Sequence, residues 1–331
     1  MRAVAEADHG GPEVLTVTDQ PVPELTADGI RIRVEHAGIN RADVLQRTGH
    51  YKVPDGGSAI YGLEISGRVL EVGAEAPQHA LSGDVLVPGA RVCALVDSGG
   101  YAEEVVAPAA NVLPVPDALS MTDAAALPEV LATVWSNLVM EAGARSGQTL
   151  LLHGGTGGIG TAAIQIARSI GMRVITTVSS EAKAEFVREL GAEAIRYDQE
   201  DFVGRVKELT DGRGPEVIFD VVGAKYLEPN LKALAVDGTL IIIGLQGGRK
   251  AEIDLGSFMV KRQHLVATTL RARPADQKAR IMAQVHEHVW PLVASGQIRA
   301  VLDREFPLDQ AAQAHEHFDS GTHIGKILLT P

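Results

Sequence analysis

A glycine-rich stretch in the middle of the chain follows an apolar run and precedes a helical pattern that extends to Ile170. Glycines permit a tight turn and let the backbone approach a pyrophosphate, while a helix N-terminus supplies N–H groups and a positive dipole. Gly155, Gly157 and Gly160 satisfy the spacing G-x-G-x-x-G, which in this context predicts a dinucleotide-binding loop. The full stretch reads Leu150-Leu151-Leu152-His153-Gly154-Gly155-Thr156-Gly157-Gly158-Ile159-Gly160.

The next predicted strand begins at position 173, and hydroxyl side chains follow its end where a carboxylate could stand. Ser179 and Ser180 follow it, and Lys183 comes about one helical turn later. Enzymes that use NADH usually place Asp or Glu here to bind the ribose 2′-OH. Two hydroxyls and a cation suit the 2′-phosphate, so the pattern favours NADPH. The alternative is that Ser179 only caps the next helix and Lys183 is solvated.

Two His-Glu-His sequences and one cysteine are the other candidates for metal or thiol chemistry. His286 and His288, and likewise His315 and His317, are two positions apart in predicted helices. Residues at i and i+2 do not share a helix face, so neither pair can chelate a metal, and we expect surface or capping roles. A single cysteine, Cys93, allows neither an internal disulfide nor a four-cysteine zinc cluster, and we expect it in the core.

The composition is that of a globular acidic chain of 331 residues with a net charge of −12. This charge disfavours nonspecific binding to nucleic acid or acidic lipid. The charged N-terminus does not read as a signal peptide, and no apolar run approaches the ~20 residues of a membrane span. We therefore expect a cytoplasmic enzyme that binds no membrane. One basic cluster is expected at a surface edge or lining a pocket: Lys261, Arg262, His264, Arg271 and Arg273.

The pattern along the chain predicts an α/β fold. The first part is β-rich, and strands then alternate with helices, which is typical of a doubly wound parallel sheet with strand order 3-2-1-4-5-6. A helix is predicted around 279–294, and the last segment, 324–329, reads as a strand. If that strand pairs with the first part, the sheet domain is inserted in a split partner. The predicted parallel strands are 149–152, 173–177, 194–196, 217–219, 239–243 and 265–268.

Motifs along essentially the whole chain resemble the zinc-free quinone oxidoreductases of the medium-chain dehydrogenase/reductase superfamily. The subgroup of the tumour-suppressor-inducible quinone oxidoreductase is the nearest in pattern, with zeta-crystallin more distant. The resemblance implies a Rossmann domain, 121–268, inserted in a split GroES-like catalytic domain, 1–120 and 269–331. The motifs are His36-Ala37-Gly38-Ile39-Asn40-Arg41-Ala42-Asp43-Val44-Leu45-Gln46-Arg47-Thr48-Gly49-His50-Tyr51, Tyr61-Gly62-Leu63-Glu64, Ala126-Leu127-Pro128-Glu129, Gly244-Leu245-Gln246-Gly247-Gly248, Leu270-Arg271-Ala272-Arg273 and Gly325-Lys326-Ile327-Leu328-Leu329.

Departures from the zinc alcohol dehydrogenases of the same superfamily bear on the metal. Asn40 stands where those enzymes carry a ligand cysteine, and Leu63 where they carry a ligand histidine. Leucine cannot coordinate a metal and an amide is a poor zinc ligand, so the resemblance implies catalysis without zinc.

The family's site residues can be transferred to positions of this sequence. Asn40 and Tyr51 are the implied catalytic residues, with Asn40 near the nicotinamide and Tyr51 beside the substrate. The implied cofactor contacts are Asn40, Thr133, Gly155, Gly157, Gly158, Ile159, Ser179, Ser180, Lys183, Tyr197, Gly244, Leu245 and Lys326.

The implied reaction is hydride transfer from NADPH to a quinone or similar acceptor, in a cleft above the carboxyl ends of the parallel strands. One alternative is an enoyl-thioester or alkenal reductase on the same scaffold. Another is a non-catalytic NADPH-binding protein with a structural or RNA-binding role, against which the net charge of −12 argues. Relatives often pair the exposed edges of two such sheets, so a homodimer is expected.

Overall fold

The computed structural model describes residues 1–54, 56–77 and 86–331. The chain divides into two compact units, unit 1 (Met1–Ala132 with Arg271–Pro331) and unit 2 (Thr133–Leu270). The limits of these units lie close to those given above for the domains. Residues 121–132, which were expected in the inserted domain, belong to unit 1. The first of them contacts the sheet of this unit: Ser66 Oγ donates a hydrogen bond to the carbonyl oxygen of Met121, at 2.6 Å.

Strands and α-helices of the described residues are numbered here in chain order. The strands are β1 Arg2–Val4, β2 Val17–Asp19, β3 Gly29–Gly38, β4 Glu64–Val72, β5 Arg91–Leu95, β6 Glu104–Pro108, β7 Val112–Pro114, β8 Thr149–His153, β9 Arg173–Val178, β10 Glu193–Arg196, β11 Val217–Asp220, β12 Thr239–Ile242, β13 His264–Ala267, β14 Leu302–Pro307 and β15 Lys326–Thr330. The helices are α1 Arg41–Arg47, α2 Met121–Ala125, α3 Pro128–Trp135, α4 Gly158–Ser169, α5 Glu181–Glu189, α6 Phe202–Leu209, α7 Ala224–Ala233, α8 Leu255–Val260, α9 Ala275–Gln284, α10 Trp290–Ala294 and α11 Ala311–Asp319.

Unit 2 is built on a six-stranded parallel sheet. Its order is β10-β9-β8-β11-β12-β13, which is the doubly wound order 3-2-1-4-5-6 predicted from the sequence. The strands are short and apolar, as expected for a sheet covered on both faces. Leu151, Ile175 and Ile218 have no exposed side-chain surface and form its centre. The fold-class prediction is confirmed for this unit.

Unit 1 contains a mainly antiparallel sheet that includes the last strand of the chain. Its order is β14-β15-β3-β4-β5-β7, and β6 pairs with β3. In the register of β15 and β3, Leu328 lies opposite Gly38 and Leu329 opposite Ala37. Residues from both ends of the chain therefore form one sheet, so this unit is split by unit 2 along the sequence, as the pattern predicted.

The helix predicted at 279–294 is interrupted. α9 ends at Gln284, a π-helical segment covers Val285–Val289, and α10 begins at Trp290. Pro291 has no N–H to donate to a preceding carbonyl, which accounts for a break at this point. No described helix has the length and apolar character to cross a bilayer.

Candidate functional site

The glycine loop joins β8 to α4 in unit 2, and Gly157 is the N-cap of α4. A Cβ atom at Gly160 would lie 2.3 Å from the carbonyl oxygen of Gly154, and one at Gly155 would lie 2.3 Å from Thr176 Oγ1. Gly160 is therefore required by packing within the loop, and Gly155 by the packing of the loop against β9. At Gly157 a Cβ would meet only the Gly154 oxygen, at 4.0 Å. The protein leaves this position open, as a loop that binds pyrophosphate through its backbone requires.

His153, the last residue of β8, is neutral, and both of its ring nitrogens have hydrogen-bond partners. It is 1% exposed; its Nδ1 lies 3.0 Å from Thr177 Oγ1, and its Nε2 lies 2.7 Å from Asn230 Oδ1. Burial lowers the pKa of His153 to about 4, partly offset by the Asn230 hydrogen bond. The imidazole thus ties the start of the glycine loop to β9 and α7. The sequence pattern assigned it no role.

The residues expected at the 2′-phosphate lie together at the carboxyl ends of β9 and β10. Ser180 is the N-cap of α5, and its side chain accepts a hydrogen bond from the backbone N–H of Lys183, at 3.3 Å. Ser179 is exposed, and Tyr197, 47% exposed, donates its backbone N–H to Val178. The capping role considered for Ser179 is therefore performed by Ser180, which leaves the Ser179 hydroxyl outside the helix cap.

Gly244 and Leu245 follow β12, also at the carboxyl edge of the sheet. A Cβ at Gly244 would lie 2.7 Å from the carbonyl oxygen of Val221, so the loops after β11 and β12 are in close contact. Asp220, at the end of β11, accepts hydrogen bonds from the N–H groups of Val222 at 2.7 Å and Gly223 at 2.9 Å. Burial raises the pKa of Asp220 to about 6. This edge of a doubly wound sheet is where ligands bind.

Thr133, the first residue of unit 2, is 6% exposed. Its carbonyl oxygen accepts hydrogen bonds from Asn137 Nδ2 at 2.8 Å and from Ser136 Oγ at 3.2 Å. These contacts hold the backbone where α3 gives way to a π-helical segment, Ser136–Glu141.

In unit 1, Asn40, Glu64 and Lys326 form a buried cluster, here called the Asn40 cluster. Lys326 Nζ lies 2.7 Å from Asn40 Oδ1, 2.9 Å from the Ile39 carbonyl oxygen and 2.5 Å from Glu64 Oε1. Asn40 Nδ2 donates to Glu64 Oε1 at 3.0 Å. An ammonium has three donors, and all three have acceptors here. Lys326 thus fixes the Asn40 amide, a connection that the sequence pattern did not reveal.

A series of buried hydrogen bonds begins at Asp43, next to the Asn40 cluster, and continues through Tyr101 and His315 to Arg47. The Asp43 carboxylate accepts from the N–H groups of Asn40 and Gly62 and from Tyr101 Oη, the last at 3.2 Å. Tyr101 Oη lies 3.2 Å from His315 Nε2, and His315 Nδ1 lies 3.2 Å from Arg47 Nη1. A guanidinium only donates, so His315 Nδ1 accepts and Nε2 carries the proton.

Asp43 and His315, two titratable groups of this series, have shifted pKa values. Burial raises the pKa of Asp43 to about 6, against the effect of its hydrogen bond from Asn40. Burial, with help from Arg47 and Arg41, lowers the pKa of His315 to about 3. The expectation of a surface or capping role was therefore wrong for His315, which is fully buried; His317 is half-buried beside Asp303, with 2.6 Å between Nε2 and Oδ2.

Tyr51 lies beside a buried guanidinium of the same unit. Arg271 Cζ is 5.7 Å from the centre of the Tyr51 ring, and Arg271 Nη1 donates to Gln46 Oε1 at 2.8 Å.

Two other members of the basic cluster, Lys261 and Arg262, have partners within unit 2. Lys261 Nζ donates to carbonyl oxygens around the end of α7, and Arg262 pairs with Asp237 at 2.7 Å.

Neither a metal-binding group nor an exposed thiol occurs in the described parts of the chain. In residues 1–54, 56–77 and 86–331, no three His, Cys, Asp or Glu side chains form a group that could hold a metal ion. Leu63 is 3% exposed and Cys93 is fully buried in β5, where burial raises the pKa of its thiol. Cys93 is in the core, as expected.

Two family models match the chain. The alcohol dehydrogenase GroES-like domain matches residues 26–117, and the zinc-binding dehydrogenase model matches residues 158–287. Together with the split unit 1 and the doubly wound sheet of unit 2, they define a medium-chain dehydrogenase/reductase, a class of oxidoreductase enzymes.

Individual relatives narrow this class. The quinone oxidoreductase of Pseudomonas aeruginosa is 32% identical over 98% of this chain and 98% of its own. The crystal structure of Escherichia coli quinone oxidoreductase complexed with NADPH is 29% identical, with a TM-score of 0.87 and 100% coverage of both chains. The structure of an NAD-dependent alcohol dehydrogenase is 31% identical, with a TM-score of 0.86 and the same coverage. The chain belongs to the quinone oxidoreductase family.

Proposed function

We propose that this oxidoreductase transfers hydride from NADPH to a quinone or a similarly electron-poor acceptor, and that it does so without zinc. The observation that carries the proposal is the carboxyl edge of the sheet in unit 2. There the glycine loop, which is open at Gly157, follows β8, while Ser179, Ser180 and Lys183 follow the neighbouring strand β9. The motifs also favour the tumour-suppressor-inducible subgroup of the family.

The residues around the end of β9 support NADPH over NADH. Neither Ser179 nor Ser180 offers a carboxylate to a ribose 2′-OH, and the backbone of Lys183 is capped by Ser180 at the first turn of α5. Hydroxyl groups and an ammonium suit a phosphate, and a helix N-terminus adds a favourable dipole. The further residues proposed to contact the cofactor are Tyr197, Gly158, Ile159, Thr133, Gly244 and Leu245.

Bound NADPH supplies the hydride, from C4 of its nicotinamide, and this chain supplies orientation and a proton source. Asn40 suits a positioning role because Lys326 and Glu64 hold both ends of its amide. Tyr51 carries a hydroxyl that can protonate a reduced oxyanion, although water can do the same. A quinone needs little further acid catalysis. We propose Asn40 and Tyr51 as the residues that face the nicotinamide and the acceptor, with Lys326 acting through Asn40.

The Asn40 cluster does not fit a zinc ion. The possible oxygen ligands of the cluster are the side chains of Asn40 and Glu64, and the neighbouring Leu63 has only carbon atoms in its side chain. The Lys326 ammonium lies against both polar groups, so a divalent cation bound to them would meet a like charge at close range. These contacts support catalysis without zinc, in which no step depends on a metal.

The test is NADPH oxidation by the purified protein, screened against benzoquinones and naphthoquinones, 2-alkenals and enoyl-thioesters, with and without a chelator. We expect the highest kcat/KM with a quinone and no loss in chelator. Faster turnover of an alkenal or an enoyl-thioester would replace the quinone proposal by the rival reductase. NADPH binding without turnover of any acceptor would support the non-catalytic alternative.

A further inference from the structure

Arg196 lies at the same edge of the sheet as the proposed 2′-phosphate residues. It is the last residue of β10, and in the parallel register it lies opposite Val178, the last residue of β9. Val178 immediately precedes Ser179 and Ser180. The next residue, Tyr197, continues the pairing by donating its N–H to Val178 at 3.3 Å. The Arg196 backbone is therefore one strand away from the point where β9 turns into α5.

The guanidinium of Arg196 is held by two carboxylates. Nε and Nη2 donate to the two oxygens of Asp198, at 3.0 Å and 2.7 Å, and Nη1 donates to Glu181 Oε2 at 3.3 Å. The Asp198 hydrogen bonds raise the pKa of Arg196. Glu181 is the first residue of α5, directly after Ser180, and its other oxygen accepts from Arg188 at 2.8 Å. Two arginines and two carboxylates thus balance each other beside the proposed phosphate position.

We propose that Arg196 is a second cation for the 2′-phosphate of NADPH, beside Lys183, and that the phosphate displaces Glu181 from it. The inference rests on the proposed function, because it deepens the same cofactor site. The planar fork of a guanidinium matches two phosphate oxygens, and a phosphate carries more charge than the carboxylate it replaces. Glu181 and Asp198 are 55% and 39% exposed. Because exposed ion pairs contribute little to stability, replacing the Glu181 carboxylate by the phosphate costs little free energy.

A second arginine on the same strands provides a matched control. Arg173 begins β9 and forms a bidentate pair with Glu193, the first residue of β10, at 2.6 Å and 3.0 Å. The pair has the same chemistry as Arg196 with Asp198, but it lies at the amino ends of the strands. Ligands of doubly wound sheets bind at the carboxyl ends. Arg173 should therefore have no effect on the cofactor.

The experiment compares dissociation constants with and without the 2′-phosphate. The probes are NADPH and NADH, and adenosine 2′,5′-bisphosphate and 5′-AMP, measured by calorimetry on folded variants with unchanged circular dichroism. Arg196→Ala should weaken both 2′-phosphorylated probes about ten- to a hundredfold and leave the other two unchanged. Arg196→Lys should restore part of the loss. Glu181→Gln should tighten NADPH by up to about fivefold, because it removes the competing carboxylate. Arg173→Ala should change nothing.

The outcomes separate this inference from the proposed function. If Lys183→Ala lowers affinity for the 2′-phosphorylated probes selectively while Arg196→Ala does not, the role of Arg196 is overturned and the NADPH proposal stands. The role of Arg196 is also overturned if Arg196→Ala weakens all four probes equally, or if Glu181→Gln weakens NADPH. A wild-type protein that binds NADPH no better than NADH, and the bisphosphate no better than 5′-AMP, overturns both proposals.

Discussion

The Lys326 ammonium lies 2.5 Å from Glu64 Oε1, and these two side chains are 5% and 0% exposed. They are 262 positions apart in the sequence, a separation given by their residue numbers. The ion pair therefore joins the last strand of the chain, β15, to the start of β4, inside unit 1. Asn40 Nδ2 and the backbone N–H of Glu129 also donate to the Glu64 carboxylate, at 3.0 Å and 2.9 Å.

Lys326→Met should destabilise the protein strongly. It leaves the Glu64 carboxylate buried without its counterion, which costs about 3–5 kcal/mol in the free energy of unfolding. The double variant with Glu64→Gln should recover part of this loss, since the uncompensated charge is gone. Urea denaturation of the two single variants and the double variant gives the coupling energy. The exposed pair of Arg205 and Glu208 is the control, and breaking it should cost less than about 1 kcal/mol. A loss at Lys326 no larger than the control would contradict the prediction.

The purified protein should contain no stoichiometric zinc and should keep its activity in chelator. The reason is that the Lys326 ammonium contacts both Asn40 and Glu64, and that Leu63, the residue before Glu64, has no metal-binding atom. Elemental analysis of the protein after dialysis measures the metal directly. One zinc ion per chain, or activity that a chelator abolishes and added zinc restores, would contradict the prediction.

The cofactor preference should depend on Lys183. Lys183→Ala should weaken NADPH by about ten- to a hundredfold and NADH much less, because only NADPH carries the 2′-phosphate. Ser179→Asp should act in the same direction through repulsion and offers the ribose hydroxyl of NADH an acceptor. Dissociation constants of both cofactors are the measurement, with Lys207→Ala on the exposed face of α6 as the control. If Lys183→Ala weakens the binding of both cofactors equally, Lys183 does not bind the 2′-phosphate.

The protein should form a homodimer through the edge of the sheet at β13. In the described residues β13 pairs with β12 alone, and the neighbouring α8 exposes Met259 and Val260 by 73% and 78%. An apolar sheet edge is prone to pairing, and a twofold axis allows two such edges to meet. Light scattering at micromolar concentration should give twice the chain mass. Leu265→Lys together with Val260→Lys should shift it to the monomer, whereas Val22→Lys, at an exposed position of unit 1, should not. A wild-type monomer would count against this interface.

Stability should decrease as the pH falls below about 6.5, partly because of His315. Its pKa is about 3 in the folded protein, whereas an unfolded histidine titrates near ~6.5. The unfolded chain therefore binds more protons in this window, and the free energy of unfolding falls by up to about 1.4 kcal/mol per pH unit.

The test of this sign is His315→Gln, whose amide can still accept from Arg47. The variant should lose stability less steeply than the wild type between pH 6.5 and 5, when unfolding is followed in urea at each pH. Asp43 contributes with the opposite sign between about pH 4 and 6, because its folded pKa is raised, but it is present in both proteins. His50→Gln, at an exposed position, should keep the wild-type slope. An unchanged slope in His315→Gln would show that the imidazole is not held neutral.

The parts of the fold that follow from local pattern were predicted from the sequence. The strand order of unit 2, the position of the glycine loop and the return of β15 to the first sheet agree with the structure, with strand ends differing by one or two residues. The positions of the strands and of the glycine loop depend on hydrophobic periodicity and turn residues, which are local properties. The strand order and the return of β15 follow from the fold class that the motifs implied.

The buried polar groups of unit 1 were not predicted. Glu64 with Lys326, and Tyr101 with His315, come together only through the register of a sheet built from both ends of the chain. His315 was misassigned because the sequence around it, with Glu316 and His317, has the polar character of a surface helix. Arg196 was overlooked for a related reason. Its place beside Val178 depends on the pairing of β9 and β10, and this register is not visible in the sequence, which indicated only the neighbouring Tyr197.

The position of β15 after unit 2 also sets the order in which the protein can be completed during synthesis. A ribosome delivers chains from the N-terminus, and domains generally fold as units while they emerge. The whole parallel sheet of unit 2 is available before Lys326 is made, whereas β3 can pair with β15 only after position 326 has been passed. During that interval Glu64 and Asn40 lack their cation. A nascent chain halted just before position 326 would therefore have a complete sheet in unit 2 and an incomplete sheet in unit 1, and we expect such a fragment to bind NADPH and to fail to turn over.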